Sequence, residues 1–445
     1  MRVLLVEPSY YRDNGKINRL RRVRISPSLS ILLVAGLTPP DVEVDFVREI
    51  EGKINFDDPA DLIGITAMIH QASRAYEISA EFRKRGKTVV IGGIHATMFP
   101  EEVKANCDTV VVGEAEGVWT QLIRDFQKHQ LKPFYKADRL HDLKNIPPPR
   151  YDLARKKGHY LYIPIWSSRG CPYNCDFCCM WRIYGGKFRK RPIEDVVRDV
   201  EVSKRKRTFF LADDNFSVDR SYTKELLKAL IPLKIEWVVE SEIRVAEDEE
   251  LLDLMRESGC LGAYLGMESL NLKNLNEVDK GFANAERYRE YLRRFHEHGV
   301  PVAAGLMFGF DEDSKETFKS TLDFLVENHV HYLFAHILVP VPGSKLWERL
   351  ETEGRMIPER HRKFSYYEGS HATFYPKNMT PAELEKYCWD FYRAFYSFPS
   401  FFKRVFYKPI RFRNLSATLR YHFFLVVINL VLGFWTRLRR HPVAF

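Results

Sequence analysis

The stretch SSRGCPYNCDFCCMW, residues 167–181, holds four of the seven cysteines of this 445-residue chain within nine residues. Three of them, Cys171, Cys175 and Cys178, have the spacing C-x3-C-x2-C, and an aromatic residue, Phe177, directly precedes the last. Three thiolates on one short loop can bind three irons of a 4Fe–4S cluster and leave the fourth iron without a protein ligand. Because an iron with an open position is a place for chemistry, the motif indicates a catalytic cluster.

A structural zinc site is the alternative use of such thiols. It would need a fourth ligand, for which Cys179 or His159 could serve, and its usual form is a C-x2-C pair. Adjacent Cys178 and Cys179 are poorly placed to close one tetrahedron, so the spacing favours the cluster and leaves Cys179 as a bystander. The remaining cysteines stand alone and are predicted to be small buried residues: Cys107, Cys260 and Cys388.

The sequence around the cysteines alternates strands with helices. LYIPIWSS precedes them, and RTFFLAD, IEWVVESE, GAYLGME, PVAAGLMFGF and YLFAHILVPV follow, separated by helical stretches such as PIEDVVRDVEVSK and SYTKELLKAL. Six strands with intervening helices predict a partial (β/α)6 barrel over residues 161–350, with reacting groups at the C-terminal ends of the strands. The cysteines lie at the end of the first strand.

The first 125 residues have a similar rhythm. Strand patterns such as RVLLVEP, VEVDFV, LIGITAM, TVVIGGIH and TVVVGEAE predict an α/β domain with a doubly wound, Rossmann-like parallel sheet. Such sheets bind ligands at the carboxyl ends of their strands, and the absence of GxGxxG after the first strand counts against a nicotinamide domain. The candidate ligand-binding residues at these ends are Thr66, Gly92, Gly93, His95, Gly113 and Glu114.

The rest of the chain connects and extends these two domains. Residues 126–160 are predicted to be a linker, which ends in the stiff NIPPPRYDL, and residues 351–400 a helical extension. The composition, 45% hydrophobic and 29% charged, is that of a globular protein. The initial MRVLLV has no charged n-region or small-residue cleavage site, so we interpret it as a strand and expect a cytoplasmic protein with reduced thiols.

Positive charge is concentrated at the C-terminus. Residues 391–445 contain ten Lys and Arg and no Asp or Glu, whereas the rest of the chain has 58 basic and 59 acidic residues. Within the tail, residues 401–445, the apolar run 423–435 has 13 residues, short of the roughly 20 that a spanning helix needs. We expect the tail to lie on an anionic membrane surface; a helix packed on the protein's own aromatic residues is the alternative, and nucleic acid is not expected as a partner. The arginines that flank the run are Arg420, Arg437, Arg439 and Arg440.

The motif C-x3-C-x-aromatic-C after the first strand of a β/α barrel resembles that of the radical S-adenosylmethionine (SAM) superfamily. The N-terminal segments GIT, GGIHATMFPEE and GEAEG are similar to the cobalamin-binding domain of the large B12-dependent branch of that superfamily. The resemblance covers about residues 1–350, and the last hundred residues resemble only a C-terminal extension found in some members.

The resemblance implies roles for individual residues. Cys171, Cys175 and Cys178 would ligate a 4Fe–4S cluster, whose fourth iron the amino and carboxylate groups of SAM would complete. Residues at successive strand ends would surround SAM: Phe177 beside the adenine, Asp213 or Asp214 accepting from the ammonium, Glu242 and Arg244 within reach, Glu268 in contact, and Gly305 near the adenosine.

One departure from the cobalamin-binding pattern concerns the lower face of the corrin. Domains that bind cobalt through histidine carry D-x-H-x-x-G, and no such motif occurs in this sequence. His95 in GGIHAT is outside that context, so cobalamin would bind without a protein imidazole below the cobalt. A cobalamin-type domain that holds no cobalamin is the alternative.

The resemblance implies an enzyme that takes electrons from a low-potential reductant, such as ferredoxin or flavodoxin. SAM cleavage would yield a radical that takes hydrogen from an unactivated carbon, and methylcobalamin would then methylate that carbon. If the tail lies on a membrane, the substrate is a small hydrophobic molecule, a lipid, isoprenoid or tetrapyrrole. Ring closure, oxidation or rearrangement is the alternative outcome within the enzyme class, and a non-catalytic cobalamin- or SAM-responsive membrane module is the alternative outside it.

Overall fold

Two six-stranded parallel sheets carry the fold. A computed structural model describes residues 1–12, 15–19, 24–203, 208–361, 363–405 and 415–437. In the first sheet the strands lie in the order β2-β1-β3-β4-β5-β6. Its strands are β1 (Arg2–Glu7), β2 (Glu43–Arg48), β3 (Leu62–Thr66), β4 (Thr88–Gly92), β5 (Thr109–Val112) and β6 (Phe134–Lys136). The helices of this half are α1 (Leu29–Leu37), α2 (Ala72–Lys84), α3 (Ile94–Met98), α4 (Pro100–Lys104), α5 (Trp119–Gln127) and α6 (Tyr151–Lys157).

The first sheet is buried on both faces, which explains its nearly continuous apolar strands. In β1, Val3 and Leu5 pack in one core with residues of α1 and α5. The alternate side chains Leu4 and Val6 pack in a second core with residues of α2 and α4. The doubly wound domain predicted from the sequence is therefore confirmed.

The second sheet forms the predicted partial barrel, with its strands in the order β14-β13-β12-β11-β10-β7, all parallel. A short antiparallel ribbon, β8–β9, stands apart from it. The strands are β7 (Ile163–Ile165), β8 (Ser168–Arg169), β9 (Arg189–Lys190), β10 (Thr208–Leu211), β11 (Glu236–Ser241), β12 (Cys260–Glu268), β13 (Val302–Phe308) and β14 (Tyr332–Ile337). The helices are α7 (Met180–Tyr184), α8 (Ile193–Val202), α9 (Arg220–Leu230), α10 (Glu249–Ser258), α11 (Leu272–Glu277), α12 (Tyr288–Glu297), α13 (Lys315–Glu327) and α14 (Lys345–Thr352).

The aromatic C-terminal extension covers the edge of the barrel. It contains α15 (Pro358–His361), α16 (Pro381–Phe395), α17 (Phe398–Val405) and α18 (Leu415–Arg437). The Tyr392 hydroxyl accepts from the Ala335 N–H (2.6 Å) and donates to its carbonyl (2.7 Å). Tyr396 does the same at Leu333, both at 3.2 Å. These tyrosines satisfy backbone groups that an edge strand, here β14, would otherwise leave unpaired.

The boundaries of two predicted segments differ in the structure. The linker predicted over residues 126–160 contains β6, a three-residue strand that pairs with β5 and extends the first sheet, and it also contains α6. So short an edge strand gives little periodic signal among prolines and charges.

In the tail, α18 has 23 residues and is longer than the 13-residue apolar run. One side of it packs on the protein through Tyr421, Leu425 and Leu432. No helix in the described ranges has the length and apolar character needed to cross a membrane. The arginines predicted to flank the run lie outside the part of the chain whose side chains are described: Arg420, Arg437, Arg439 and Arg440.

Candidate active site

The loop that carries Cys171, Cys175 and Cys178, called the cysteine loop below, leaves the barrel after β7. Asp213, which follows β10, holds its base. The buried Asp213 carboxylate accepts hydrogen bonds from the N–H groups of Ser167 (2.7 Å) and Ser168 (2.5 Å) and from their hydroxyls (3.0 and 3.1 Å). Burial raises the pKa of Asp213 to about 6, and the four hydrogen bonds oppose the rise. Because the loop occupies both of its oxygens, Asp213 positions the loop, and Asp214 is the member of the pair that faces the site.

Cys171, Cys175 and Cys178 lie together on this loop. The Cys178 N–H donates to the Cys175 carbonyl (3.0 Å), which makes the turn between these two ligands. Burial raises the pKa of the Cys175 and Cys178 thiols, and the negative charge of Cys171 raises each further. In the described residues no three His, Cys, Asp or Glu side chains are placed to share one metal ion. A cubane cluster has a different requirement, since each thiolate binds a separate iron, and the three thiols of one loop fit it.

Glu242 offers an unpaired acceptor near the cysteines. Its Oε2 atom is buried and has no hydrogen-bond partner among the described residues. Burial raises the pKa of this carboxyl, whereas Arg244 and a hydrogen bond from Tyr173 lower it. A buried acceptor without a partner costs about 1–3 kcal/mol, so this atom fits a ligand that donates a hydrogen bond, such as the ammonium of SAM. Arg244, the other residue predicted at this strand end, lies with its Nε atom 3.4 Å from the Glu247 carboxylate.

Glu268 forms an ion pair with Lys280 inside the barrel. Glu268 adopts a left-handed backbone conformation, φ 60°, at an irregularity in the pairing of β12 with β13. Such strain in a non-glycine residue is typical of functional sites. The Lys280 Nζ also lies 5.8 Å from the ring centre of Phe177, and the charges of Glu268, Cys175 and Cys178 raise its pKa although burial lowers it. Lys280 thus joins the expected SAM contact to the cysteine loop.

Gly305 makes room for an aromatic side chain in the barrel. A β-carbon at this position would lie 2.5 Å from the Tyr264 hydroxyl. Tyr264 in turn packs edge-on against Phe334, with 5.3 Å between ring centres. Gly305 therefore accommodates Tyr264, and its place near the adenosine of SAM stays a prediction.

A cavity of about 320 Å³ opens at the carboxyl ends of β3, β4 and β5. Most of the predicted strand-end residues lie in its wall, which is otherwise largely apolar. The cysteine-loop side of the barrel closes it, so residues of both domains line one space. The predicted residues in the wall are Thr66, Gly92, Gly93, Gly113 and Glu114, and those from the barrel side are Arg169, Met180, Ile183, Tyr184 and Asp214.

The predicted residue His95 is not in this wall. Its ring is fully buried on the other side of α3, where Nε2 is hydrogen-bonded to the Tyr76 hydroxyl (2.8 Å). Phe364, from the C-terminal extension, packs edge-on against it with 4.9 Å between ring centres. No histidine lines the cavity among the described residues. An apolar cavity with small residues at three strand ends is where a doubly wound sheet binds its ligand, so these residues would hold a corrinoid there, and no histidine of the described wall would reach it.

Several residues of the site gave no recognisable signal in the sequence. Lys280 lies 12 residues beyond Glu268 in a stretch without a motif. Glu240 faces the barrel lumen, where its side chain is exposed, and partial desolvation between the lumen walls and the negative charges of Asp214 and Glu268 raise its pKa. Arg169 directly precedes the Gly-Cys of the cysteine motif and reaches Glu114 of the first domain (3.0 Å). That last contact depends on how the two domains pack.

Known proteins share this two-domain arrangement. Residues 167–325 match the Radical SAM superfamily, and residues 35–123 match the B12 binding domain. The chain is 30% identical over 422 residues to the bacteriochlorophyllide d C-12(1)-methyltransferase of Chlorobaculum tepidum, covering 92% of this chain and 90% of that protein. It is 27% identical to the hopanoid C-2 methylase of Rhodopseudomonas palustris, covering 81% and 72%. Among solved structures, the radical SAM methyltransferase TsrM of Kitasatospora setae has the same fold, with a TM-score of 0.62, 18% identity and coverage of 79% and 78%.

Proposed function

Because this chain belongs to the branch of the radical SAM superfamily that carries a B12-binding domain, we propose that it is a C-methyltransferase of a hydrophobic, polycyclic substrate. Its cofactors are accordingly a 4Fe–4S cluster, SAM and cobalamin. When bound, they supply a radical that activates a C–H bond and a methyl group for the resulting carbon. The protein's part is to hold them, orient the substrate and exclude water.

One observation carries this proposal: the cavity of the B12-binding domain and the cysteine loop share a wall. Asp214 lines the cavity and accepts a hydrogen bond from the N–H of Gly170 (2.6 Å), the residue before Cys171. A methyl donor in the cavity and a radical source at the loop would thus act on one shared space.

Named residues divide the tasks. The three cysteines of the loop would hold the cluster, and the unpaired Oε2 of Glu242 would accept from the SAM ammonium. Asp214 can accept a second donor while it holds the loop through Gly170. Lys280 holds Glu268 in place through their ion pair and lies over the ring of Phe177.

The barrel lumen supports a large apolar substrate. Side chains alternate along the strands, and those that are not packed against the helices include Phe210, Tyr264 and Phe334. Aromatic walls suit flat polycyclic molecules, which they contact over a large area. The relatives named above act on bacteriochlorophyllide d and on a hopanoid, both polycyclic, which supports the same class here.

The C-terminal helices support delivery of that substrate from a membrane. α18 exposes five apolar side chains on the side away from its buried stripe, and α17 adds Phe398 and Phe402. Because these side chains are only 38–72% exposed, their transfer into lipid would contribute about 4–8 kcal/mol in total, on a scale of roughly 1.5–3 kcal/mol for one fully exposed side chain. The exposed Lys403 of α17 would add about 1 kcal/mol on an anionic surface. The five residues are Leu419, Phe423, Val427, Leu430 and Phe434.

Vesicle binding tests the membrane part of the proposal. The protein should sediment with phosphatidylserine-containing vesicles at low salt, and Phe423→Ser/Phe434→Ser should abolish this without unfolding, because both rings are exposed. Val202→Ser, which changes an exposed apolar residue on α8, is the matched control and should bind like the wild type. Equal sedimentation of all three proteins would reject α18 as the contact.

Transfer of a labelled methyl group tests the catalytic part. The anaerobically reconstituted enzyme, with dithionite or flavodoxin as reductant, is incubated with trideuteromethyl-SAM and either bacteriochlorophyllide d or a hopanoid. We expect the label in one of these products, together with 5'-deoxyadenosine. Formation of 5'-deoxyadenosine with altered but unlabelled substrate would replace methylation by another radical outcome.

A further inference from the structure

Two arginines of the β8–β9 ribbon form ion pairs with one glutamate of the B12-binding domain. Arg169 and Arg189 are directly paired across the ribbon. Both reach Glu114, Arg169 at 3.0 Å and Arg189 through two hydrogen bonds of 2.7 and 2.9 Å. Arg169 also forms an ion pair with Glu116. We call these four residues the arginine clamp.

The clamp joins the two cofactor regions. On one side, Arg169 is separated from the cluster ligand Cys171 by a single residue, Gly170. On the other side, Glu114 and Glu116 follow β5 in the wall of the corrin cavity. A β-carbon on Gly170 would lie 2.0 Å from the Lys187 carbonyl oxygen, so the backbone of the loop is closely packed at this point.

Each half of the clamp is held rigidly. The Arg169 guanidinium lies 4.3 Å from the ring centre of Trp166, and Arg191 lies at the same distance from that ring. Arg191 is fixed in turn by its ion pair with Asp199 (2.9 Å). Such stacking leaves the Arg169 side chain little freedom to follow a displaced partner.

Glu114 is pre-ordered in the same way. It accepts from the backbone N–H of His141 (2.9 Å), and Arg189 also donates to the His141 carbonyl (2.8 Å). Burial alone would raise the pKa of Glu114, but the Arg189 hydrogen bonds and the Arg169 charge hold it below its ordinary range. The glutamate therefore stays ionised and keeps two adjacent cations together.

We propose that the arginine clamp sets the spacing between the corrin cavity and the cysteine loop, and so positions the two cofactors for reaction at one substrate carbon. The inference rests on the proposed function. Without Glu114, Arg169 and Arg189 would repel each other across the ribbon, and the loop would lose its main polar tie to the first domain. Displacement of reacting groups by about 1 Å can cost about 100-fold in rate, so this tie matters for catalysis.

The test uses Glu114→Gln/Glu116→Gln, which keeps shape and removes both negative charges. The measurement is the magnetic interaction between the reduced cluster and Co(II) cobalamin, by EPR on protein that holds both cofactors. We expect a single interspin distance in the wild type and a longer, broader distribution in the variant. Asp41→Asn, which neutralises an exposed carboxylate paired with Arg124 in the same domain (2.8 Å), should leave the wild-type distribution unchanged.

A wild-type interspin distribution in the double variant would overturn the proposal. If the double variant does not fold, Glu114→Gln alone removes the charge that both arginines contact, and an unchanged distribution there would overturn the proposal equally. In methylation assays with bacteriochlorophyllide d, methyl groups transferred per SAM cleaved should fall by about tenfold or more. Because the distance is measured without turnover, a wild type that binds both cofactors but transfers no methyl would reject the proposed function and leave the clamp to be decided by EPR.

Discussion

The Glu268–Lys280 ion pair gives a quantitative test of how the barrel holds its ligand. Each side chain is 12% exposed, so Lys280→Met leaves a carboxylate in a poorly solvated site. Unit charges about 3 Å apart interact by about 5 kcal/mol at an effective dielectric constant of about 20. Breaking a buried pair from one side accordingly costs about 3–5 kcal/mol. For a domain the size of the barrel, we expect the melting temperature to fall by about 10 °C.

The assay is thermal unfolding of anaerobically prepared protein for Lys280→Met, Glu268→Gln and the double variant, followed by calorimetric titration with SAM. The double variant should recover most of the lost stability, with a coupling energy of about 2 kcal/mol or more, but not the affinity for SAM. Arg293→Met is the control, because its pair with Glu297 is exposed and worth less than about 1 kcal/mol. If the double variant lost as much stability as the two single variants together, the reasoning would be refuted.

Three further outcomes follow from the site. Cys175→Ser should lose the cluster and all SAM cleavage, whereas Cys179→Ser should keep both, as measured by iron content and 5'-deoxyadenosine. Because burial raises the pKa of Asp213 from 3.8 to about 6, the barrel should lose about 3 kcal/mol of stability as pH rises from about 4 to about 6. In denaturation curves at several pH values, Asp213→Asn should lack this slope; an unchanged slope would assign it to another group. His95→Ala should lower stability but not the bound cobalamin read by absorption, since the ring lies outside the cavity wall; loss of cobalamin alone would contradict this placement.

Local motifs and regular strand–helix patterns could be predicted from the sequence. The cysteine spacing is local, and the six barrel strands are apolar runs separated by helices, so both could be predicted without tertiary information. The strand ends of the first domain also predict the cavity, because parallel strands end at one edge of a sheet. The direction of His95 is not predictable in this way: it lies on α3 just after the strand end, where Ile94 lines the cavity and the buried His95 does not.

Features that depend on packing between elements could not be predicted. Asp213 and Asp214 are adjacent in sequence, yet only the fold reveals that Asp213 is hydrogen-bonded to the base of the cysteine loop. Lys280 lies in the connection between β12 and β13, whereas the cysteines that it approaches lie in the connection after β7. The arginine clamp forms only where the two domains pack against each other. The packing of the tail is another such feature: α18 packs one side on the protein through residues such as Tyr421 and leaves an apolar stripe exposed, and its contact with a membrane stays a prediction.

The most direct test of the central claim is the cofactor content of the intact protein. After anaerobic reconstitution with iron, sulfide and hydroxocobalamin and removal of unbound material, iron analysis and the absorption spectrum give both stoichiometries. We predict about four irons and about one cobalamin per chain, with the cobalamin lacking a protein imidazole ligand in the Co(II) EPR spectrum. A protein that takes up the cluster and cleaves SAM but retains no cobalamin would contradict the account.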